Sequence, residues 1–180
     1  MHDAGIARRN VELKASDPDP QRSLETCRSL GATDRGVILQ RDTYFDVPTG
    51  GLKLREETPG TPHLIQFSRA SRPQQRQSTY RIVEVADSAT LRVALAESLG
   101  ERGVVVKRRH LLLWNAVRIH LDDVEGLGRF IEIEAVAPPD SDLTREHQVV
   151  RELREALLIA DARLCADGYA EQLLRPIARR

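Results

Sequence analysis

Four segments of this chain repeat one alternation, an ionic or polar residue followed by an aliphatic one. They are Glu12-Leu13-Lys14, Leu52-Lys53-Leu54-Arg55, Val117 to Asp122 and Ile131-Glu132-Ile133-Glu134. In a β-strand successive side chains point to opposite faces. Each segment therefore reads as a strand with one aliphatic and one ionic face. A fifth, "VVVKRRHLLL", places Lys107 and Arg109 on a common side, and Arg118, His120 and Asp122 share a side in the third.

Such a sheet has two solutions. It lies flat with one wet face, or it curls so that the ionic face points inward. Two features favour curling. Three stretches with helical spacing need aliphatic sheet surface to cover, which places them outside. The charges are also sorted by strand: "KLR" and "KRR" are basic and "EIE" is acidic. Solvated sheets tend to mix signs, because like charges on neighbouring positions repel.

The order of elements follows from local signals. "RNVELKAS" is a strand, and "PQRSLETCRSLGA" is a helix stopped at Gly31. "RGVILQRDTYFDVP" and "GLKLREE" form a hairpin across "TGG", and "HLIQFSRAS" is a further strand. "SRPQQRQS", polar and containing proline, reads as a loop, followed by the strand "TYRIVEVA". Asp87 caps a helix closed by Gly100, three strands follow, and the C-terminal part is helical. This is an α+β chain with a mostly antiparallel sheet. Its eight or so strands are enough to close into a barrel. No linker divides the 180 residues, so one domain is expected, with its core at about 9–174.

Composition narrows the function. Lys and Arg number 27 and so do Asp and Glu, a balance that argues against a nucleic-acid or membrane-surface binder. Aromatic residues make up only 4%, which disfavours base-stacking platforms. Cys27 and Cys165 are the only cysteines and read as free buried thiols of a reducing compartment. The N-terminus lacks a secretory apolar region, and no apolar run reaches the ~20 residues of a membrane helix. A cytoplasmic protein is the expectation.

Basic rows bind phosphate oxygens, and carboxylates bind hard divalent ions that bridge phosphates. Together they fit a metal-bound polyphosphate. There is no P-loop, H-E-x-x-H or cysteine-rich zinc pattern.

The ordered set "NVELK", "DTYFD", "GLKLRE", "VVKRR" and "RIHLDDVEGLGRFIEIE" resembles the CYTH family of triphosphate tunnel metalloenzymes, in the branch like class IV adenylyl cyclases. The resemblance implies an eight-stranded antiparallel tunnel with helices outside, a triphosphate or nucleoside triphosphate substrate, and Mg²⁺ or Mn²⁺. It implies Glu12, Asp122, Glu132 and Glu134 as metal ligands or water-orienting carboxylates. It implies Lys14, Lys53, Arg55, Arg69, Lys107, Arg109 and Arg118 as phosphate-binding residues, with Glu12, Lys14 and Asp122 acting in catalysis. Cyclisation of ATP, hydrolysis of tripolyphosphate or thiamine triphosphate, and nucleotide binding without turnover all fit, and a homodimer is allowed. Two departures are visible: the family opens on E-x-E-x-K, whereas here Asn10 replaces the first carboxylate, and where the branch carries Ser-Tyr before an acidic residue and leucines the chain reads Gly168-Tyr169-Ala170-Glu171, a segment the resemblance implies as a cap over a tunnel mouth.

Overall fold

The structure, a computed structural model, describes residues 7–69 and 75–174. Eight strands run in chain order: β1 (Arg8–Ser16), β2 (Thr33–Phe45), β3 (Gly51–Thr58), β4 (His63–Arg69), β5 (Arg76–Glu84), β6 (Glu101–Trp114), β7 (Val117–Val124) and β8 (Gly128–Ala137). Four α-helices accompany them: α1 (Pro20–Ser29), α2 (Ser88–Leu99), α3 (Thr144–Ala156) and α4 (Tyr169–Leu174).

The strands close in the order β1-β5-β4-β3-β2-β6-β7-β8, with β8 back on β1. Every pairing is antiparallel. An eight-stranded barrel encloses a space that side chains fill or that holds one small ligand. The β2–β3 hairpin depends on two glycines. Gly50 has φ +68°, and a Cβ on Gly51 would stand 2.2 Å from the Phe67 ring, so only glycine fits there.

The aliphatic face points outward, as the alternation predicts. Leu13, Ile119, Ile131 and Ile133 form a core with Cys27 of α1 and with Val150 and Leu153 of α3, all essentially buried. Asp19 caps α1 by accepting from the Arg22 N–H at 3.2 Å, and Asp87 caps α2 by accepting from Thr90 at 3.0 Å.

Three expectations need correction. Helix α2 buries none of its residues, and Val93 is exposed. Leu91, Leu95 and Leu99 repeat every four residues, but Val93 lies on the opposite side, so no single stripe forms. Residues 71–74 of the stretch read as a loop lie outside the described residues, and the rest becomes strand at Arg76, where Arg76 is buried against Glu12 and Ser78 faces the tunnel while Gln77 points to solvent. Cys165 is only half-buried, whereas Cys27 is fully buried, and both are free. Among the described residues, no helix is long and apolar enough to cross a membrane.

Candidate active site inside the barrel

The barrel encloses a cavity of about 270 Å³. Its wall is sorted by charge. On the basic side, Lys53, Arg55 and Lys107 converge on Asp42, a carboxylate with no solvent exposure. Arg55 grips it with two bonds of 2.7 Å, and the ammonium groups of Lys53 and Lys107 stand at 3.0 and 3.1 Å. Burial alone would raise the Asp42 pKa. Arg55, Lys107 and Lys53 overcome it and hold the carboxyl well below the usual range. Lys107 is pushed down to about 8, first by burial and then by Arg109 and Arg55, against the pull of Asp42.

Arg109 stands between the basic and acidic sides. Its Nε and Nη2 donate to Asp122 at 2.7 and 2.6 Å, and Nη2 also meets Glu132 at 2.6 Å. Lys14 pairs with Glu132 at 2.9 Å. Burial opposes ionisation of Glu132, but Lys14 and Arg109 hold its pKa well below the usual range. Glu134 is likewise lowered against burial, chiefly by His120.

On the acidic side, β7 and β8 bring His120, Glu132 and Glu134 together, with one ligand atom of each within 4.8 Å of the others. The His120 Nδ1 is buried without a hydrogen-bond partner, 3.5 Å from Glu132 and 3.9 Å from Glu134. Bonds of about 2.1 Å to one small cation place ligand atoms within about 4.2 Å of each other. Two ionised carboxylates and an orphaned imidazole nitrogen, closing by a few tenths of an ångström, therefore fit a divalent metal.

One end of the tunnel is closed by Tyr169 of α4. Its hydroxyl donates to Asp122 at 2.9 Å, its ring meets Phe130 at 5.1 Å, and Lys14 Nζ stands 3.4 Å from the ring centroid. Strand directions place Ile38, Leu111 and Ile82 toward the opposite end, where Ile82 is 39% exposed.

The structure gathers Glu12, Lys14, Lys53, Arg55, Lys107, Arg109, Arg118, Glu132 and Glu134 on the cavity wall. Asp122 faces the same interior, but Arg109 and Tyr169 occupy both its oxygens, and His120 stands at ligand spacing with the two glutamates instead. Arg118 is more peripheral, 3.9 Å from Glu134 with its side chain 38% exposed. Arg69 ends β4, and its side chain lies outside the described residues. Tyr44 and Tyr80 are buried and also line the cavity.

Three residues carry more than the sequence reading assigned. Asp42 opens the segment "DTYFD", which by itself assigns it no role. Arg76, placed in a loop, donates to Glu12 at 2.6 Å and to the Ala166 carbonyl. Tyr169 lies in the C-terminal segment that the resemblance implies as a cap over a tunnel mouth, without a role of its own. The one signal for Asp42 was its two-residue offset from Tyr44 on the strand opposite Lys53 and Arg55.

A family model described as the CYTH domain matches residues 8–169. No curated protein matches the chain by sequence. Among solved structures, the PH1012 protein of Pyrococcus horikoshii is similar at TM-score 0.80 and 22% identity, covering 90% of this chain and 98% of its own. A candidate adenylate cyclase from Vibrio parahaemolyticus aligns at TM-score 0.74 and 18% identity, over 91% and 97% of the two chains. HpAC1 from Hippeastrum, a candidate adenylyl cyclase with a dominant triphosphatase activity, aligns at TM-score 0.61 and 15% identity, over 84% and 88%. At these identities the three likenesses speak to the fold. The match along most of the chain, on a closed barrel with a charge-sorted interior, makes this protein a member of the CYTH domain family.

Proposed function

We propose that this chain is a divalent-metal-dependent enzyme that converts ATP to cyclic AMP and pyrophosphate inside the barrel. The observation that carries the metal-dependent triphosphate chemistry is the opposition, within one cavity, of a metal-fitting triad and a cationic row. Membership of a family whose enzymes generally act on triphosphates with divalent metals supports it, as does the likeness to a candidate adenylate cyclase.

Lys14, Lys53, Arg55, Lys107 and Arg109 hold the triphosphate, with its terminal phosphates toward the end that Tyr169 closes. Glu132, Glu134 and His120 would hold the metal, with Glu12 level with Glu134 across the β1–β8 pair. The imidazole tilts the donor set toward Mn²⁺, since Mg²⁺ prefers oxygen ligands throughout. When bound, the metal lowers the pKa of the attacking hydroxyl and neutralises phosphate charge. The ribose 3′-oxygen attacks the α-phosphorus, the bond to the bridging oxygen breaks, and pyrophosphate leaves with the electron pair. Glu12 takes the hydroxyl proton. The cationic row stabilises the charge that develops on the leaving pyrophosphate. Asp122 positions Arg109, because reaching a metal would require it to release the two-pronged Arg109 contact.

A second reading, hydrolysis of tripolyphosphate or thiamine triphosphate, is favoured by the cavity volume. About 270 Å³ lies just under the ~300–1,000 Å³ usual for small-molecule pockets, ample for a triphosphate and tight for a nucleotide. The dominant triphosphatase activity of the Hippeastrum protein supports the same reading. Residues of about 9–174 are read as one domain, working in the cytoplasm with its thiols free.

Product analysis tests the proposal. The purified protein is incubated with Mn²⁺ or Mg²⁺ and either ATP, tripolyphosphate or thiamine triphosphate. Cyclic AMP with pyrophosphate, lost on chelation, is the expected result. Orthophosphate release replaces the cyclase with the hydrolase. No metal-dependent turnover of any of the three overturns both and leaves a nucleotide-binding protein.

A further inference from the structure

Beyond Arg76, which is held by Glu12, the described wall residues of one sector of the tunnel carry no formal charge. There β4 and β5 present Ile65, Phe67, Ser78, Tyr80 and Ile82 to the cavity, and Asn10 of β1 pairs in register with Ser78. In the strand order, β4 and β5 lie across the barrel from β6 and β7. This sector has nothing to offer a phosphate that the basic rows do not offer better. Its neutral polar groups suit hydroxyls, and its aliphatic and aromatic groups suit a flat or apolar ring.

Asn10 is the informative member. It is 3% exposed, lines the cavity, and its Oδ1 is buried without a hydrogen-bond partner. The Tyr80 hydroxyl is also buried, with Arg118 as the donor beside it. A buried orphan acceptor is unfavourable, so each instance calls for an explanation. Metal ligation is a poor one. Asn10 stands two residues before Glu12, about 7 Å further along the strand, level with Val136 rather than with Glu134. It thus lies past the metal-fitting triad, toward the end that Ile82 marks.

We propose that Asn10, Ser78 and Tyr80 form a neutral subsite for a hydroxyl-bearing organic group attached to the triphosphate. The tunnel then selects a nucleoside triphosphate over inorganic tripolyphosphate. The Asn10 amide oxygen accepts from a sugar hydroxyl, Ser78 and Tyr80 hydrogen-bond its neighbours, and Ile65 and Ile82 pack against the base. This rests on the reading that a triphosphate lies along the cationic row.

Calorimetric titration of ATP and of tripolyphosphate, both in EDTA, separates the possibilities. Without metal, binding reports the cations and the subsite alone. The wild type is expected to bind ATP at least as tightly as tripolyphosphate. Asn10→Ala is expected to weaken ATP about 3- to 10-fold, the loss of one hydrogen bond, and at least 3-fold more than it weakens tripolyphosphate. Tyr80→Phe shifts the ratio in the same direction and carries the test if Asn10→Ala does not fold. Equal losses for both ligands, with a lowered Tm, make Asn10 structural and overturn the subsite. Unchanged binding in EDTA with a raised Mn²⁺ requirement makes Asn10 a metal ligand and also overturns it. A wild type that prefers tripolyphosphate more than 10-fold ends the subsite and leaves the triphosphate reading standing. A wild type that binds neither ends both.

Discussion

Lys14 Nζ stands 3.4 Å from the centroid of the Tyr169 ring, while the Tyr169 hydroxyl donates to Asp122 at 2.9 Å. A residue from the C-terminal helix thus touches a cation of β1 and a carboxylate of β7 at once, closing one end of the tunnel. Burial, with Glu132 and Asp122 nearby, pushes the phenol pKa well above its usual value, so Tyr169 remains a donor at neutral pH.

Tyr169→Phe keeps the ring on Lys14 and removes the bond to Asp122. Arg109 still holds that carboxylate, so the expected loss is about 1–2 kcal/mol. Tyr169→Ala also opens a cavity beside Phe130 and is expected to cost about 3–5 kcal/mol. Urea denaturation measures both, and equal losses in the two variants would show that the ring contributes nothing.

Asp42→Asn removes the one anion on which Lys53, Arg55 and Lys107 converge. Three buried cations are left facing each other, and a loss of about 3–5 kcal/mol is expected. A midpoint shift worth less than about 1 kcal/mol would mean the cations find other partners. Linkage gives the pH sign. The folded pKa of Asp42 is depressed, so its contribution is present above the ordinary carboxylate range and fades as pH falls through the folded value.

Lys107, with its pKa pushed down to about 8, is expected to set an alkaline limb in kcat/KM. The phosphate row loses a charge as pH rises through that value. The lysine is harder to protonate in the folded than in the unfolded state, so stability itself rises between about 8 and the ordinary lysine value. A fall in activity without a fall in Tm is therefore the signature. Lys107→Arg, which stays protonated, should remove the limb. If the limb survives that substitution, another group is responsible.

Glu134→Ala removes one carboxylate of the metal-fitting triad. Metal-dependent turnover is expected to fall at least ~100-fold, while stability falls by no more than about 2 kcal/mol, because the lost pairing with His120 is partly offset by relief of the repulsion from Glu132. Full activity in this variant would remove Glu134 from the metal site.

Leu54→Asp probes the outward face. Leu54 is fully buried, and an unpaired charge there is expected to cost more than about 4 kcal/mol. A variant with wild-type Tm would show that this position yields to solvent.

Two-residue periodicity reached far into this protein. It placed Glu12, Lys14, Lys53, Arg55, Lys107, Arg109, Glu132 and Glu134 on one face and Leu13, Leu54, Ile131 and Ile133 on the other, since a strand offers only two directions. Charge sorting by strand then implied that the ionic face turns inward. Closure of the barrel follows from the same pattern, with helices needing the outer surface.

Contacts between distant segments were beyond its reach. No local rule brings Arg76 to Glu12, 64 residues away, or distinguishes Asp42 from any other strand carboxylate as the anchor of three cations. Nor does any rule carry Tyr169 from a short C-terminal helix into the tunnel, or bring His120 to ligand spacing with Glu132 and Glu134 while Arg109 and Tyr169 take Asp122. The sequence by itself determined which way each strand residue points, because that is set by backbone geometry residue by residue. Only the tertiary structure decided which of those residues meet, because barrel closure and strand tilt choose partners across the interior that no spacing along the chain encodes.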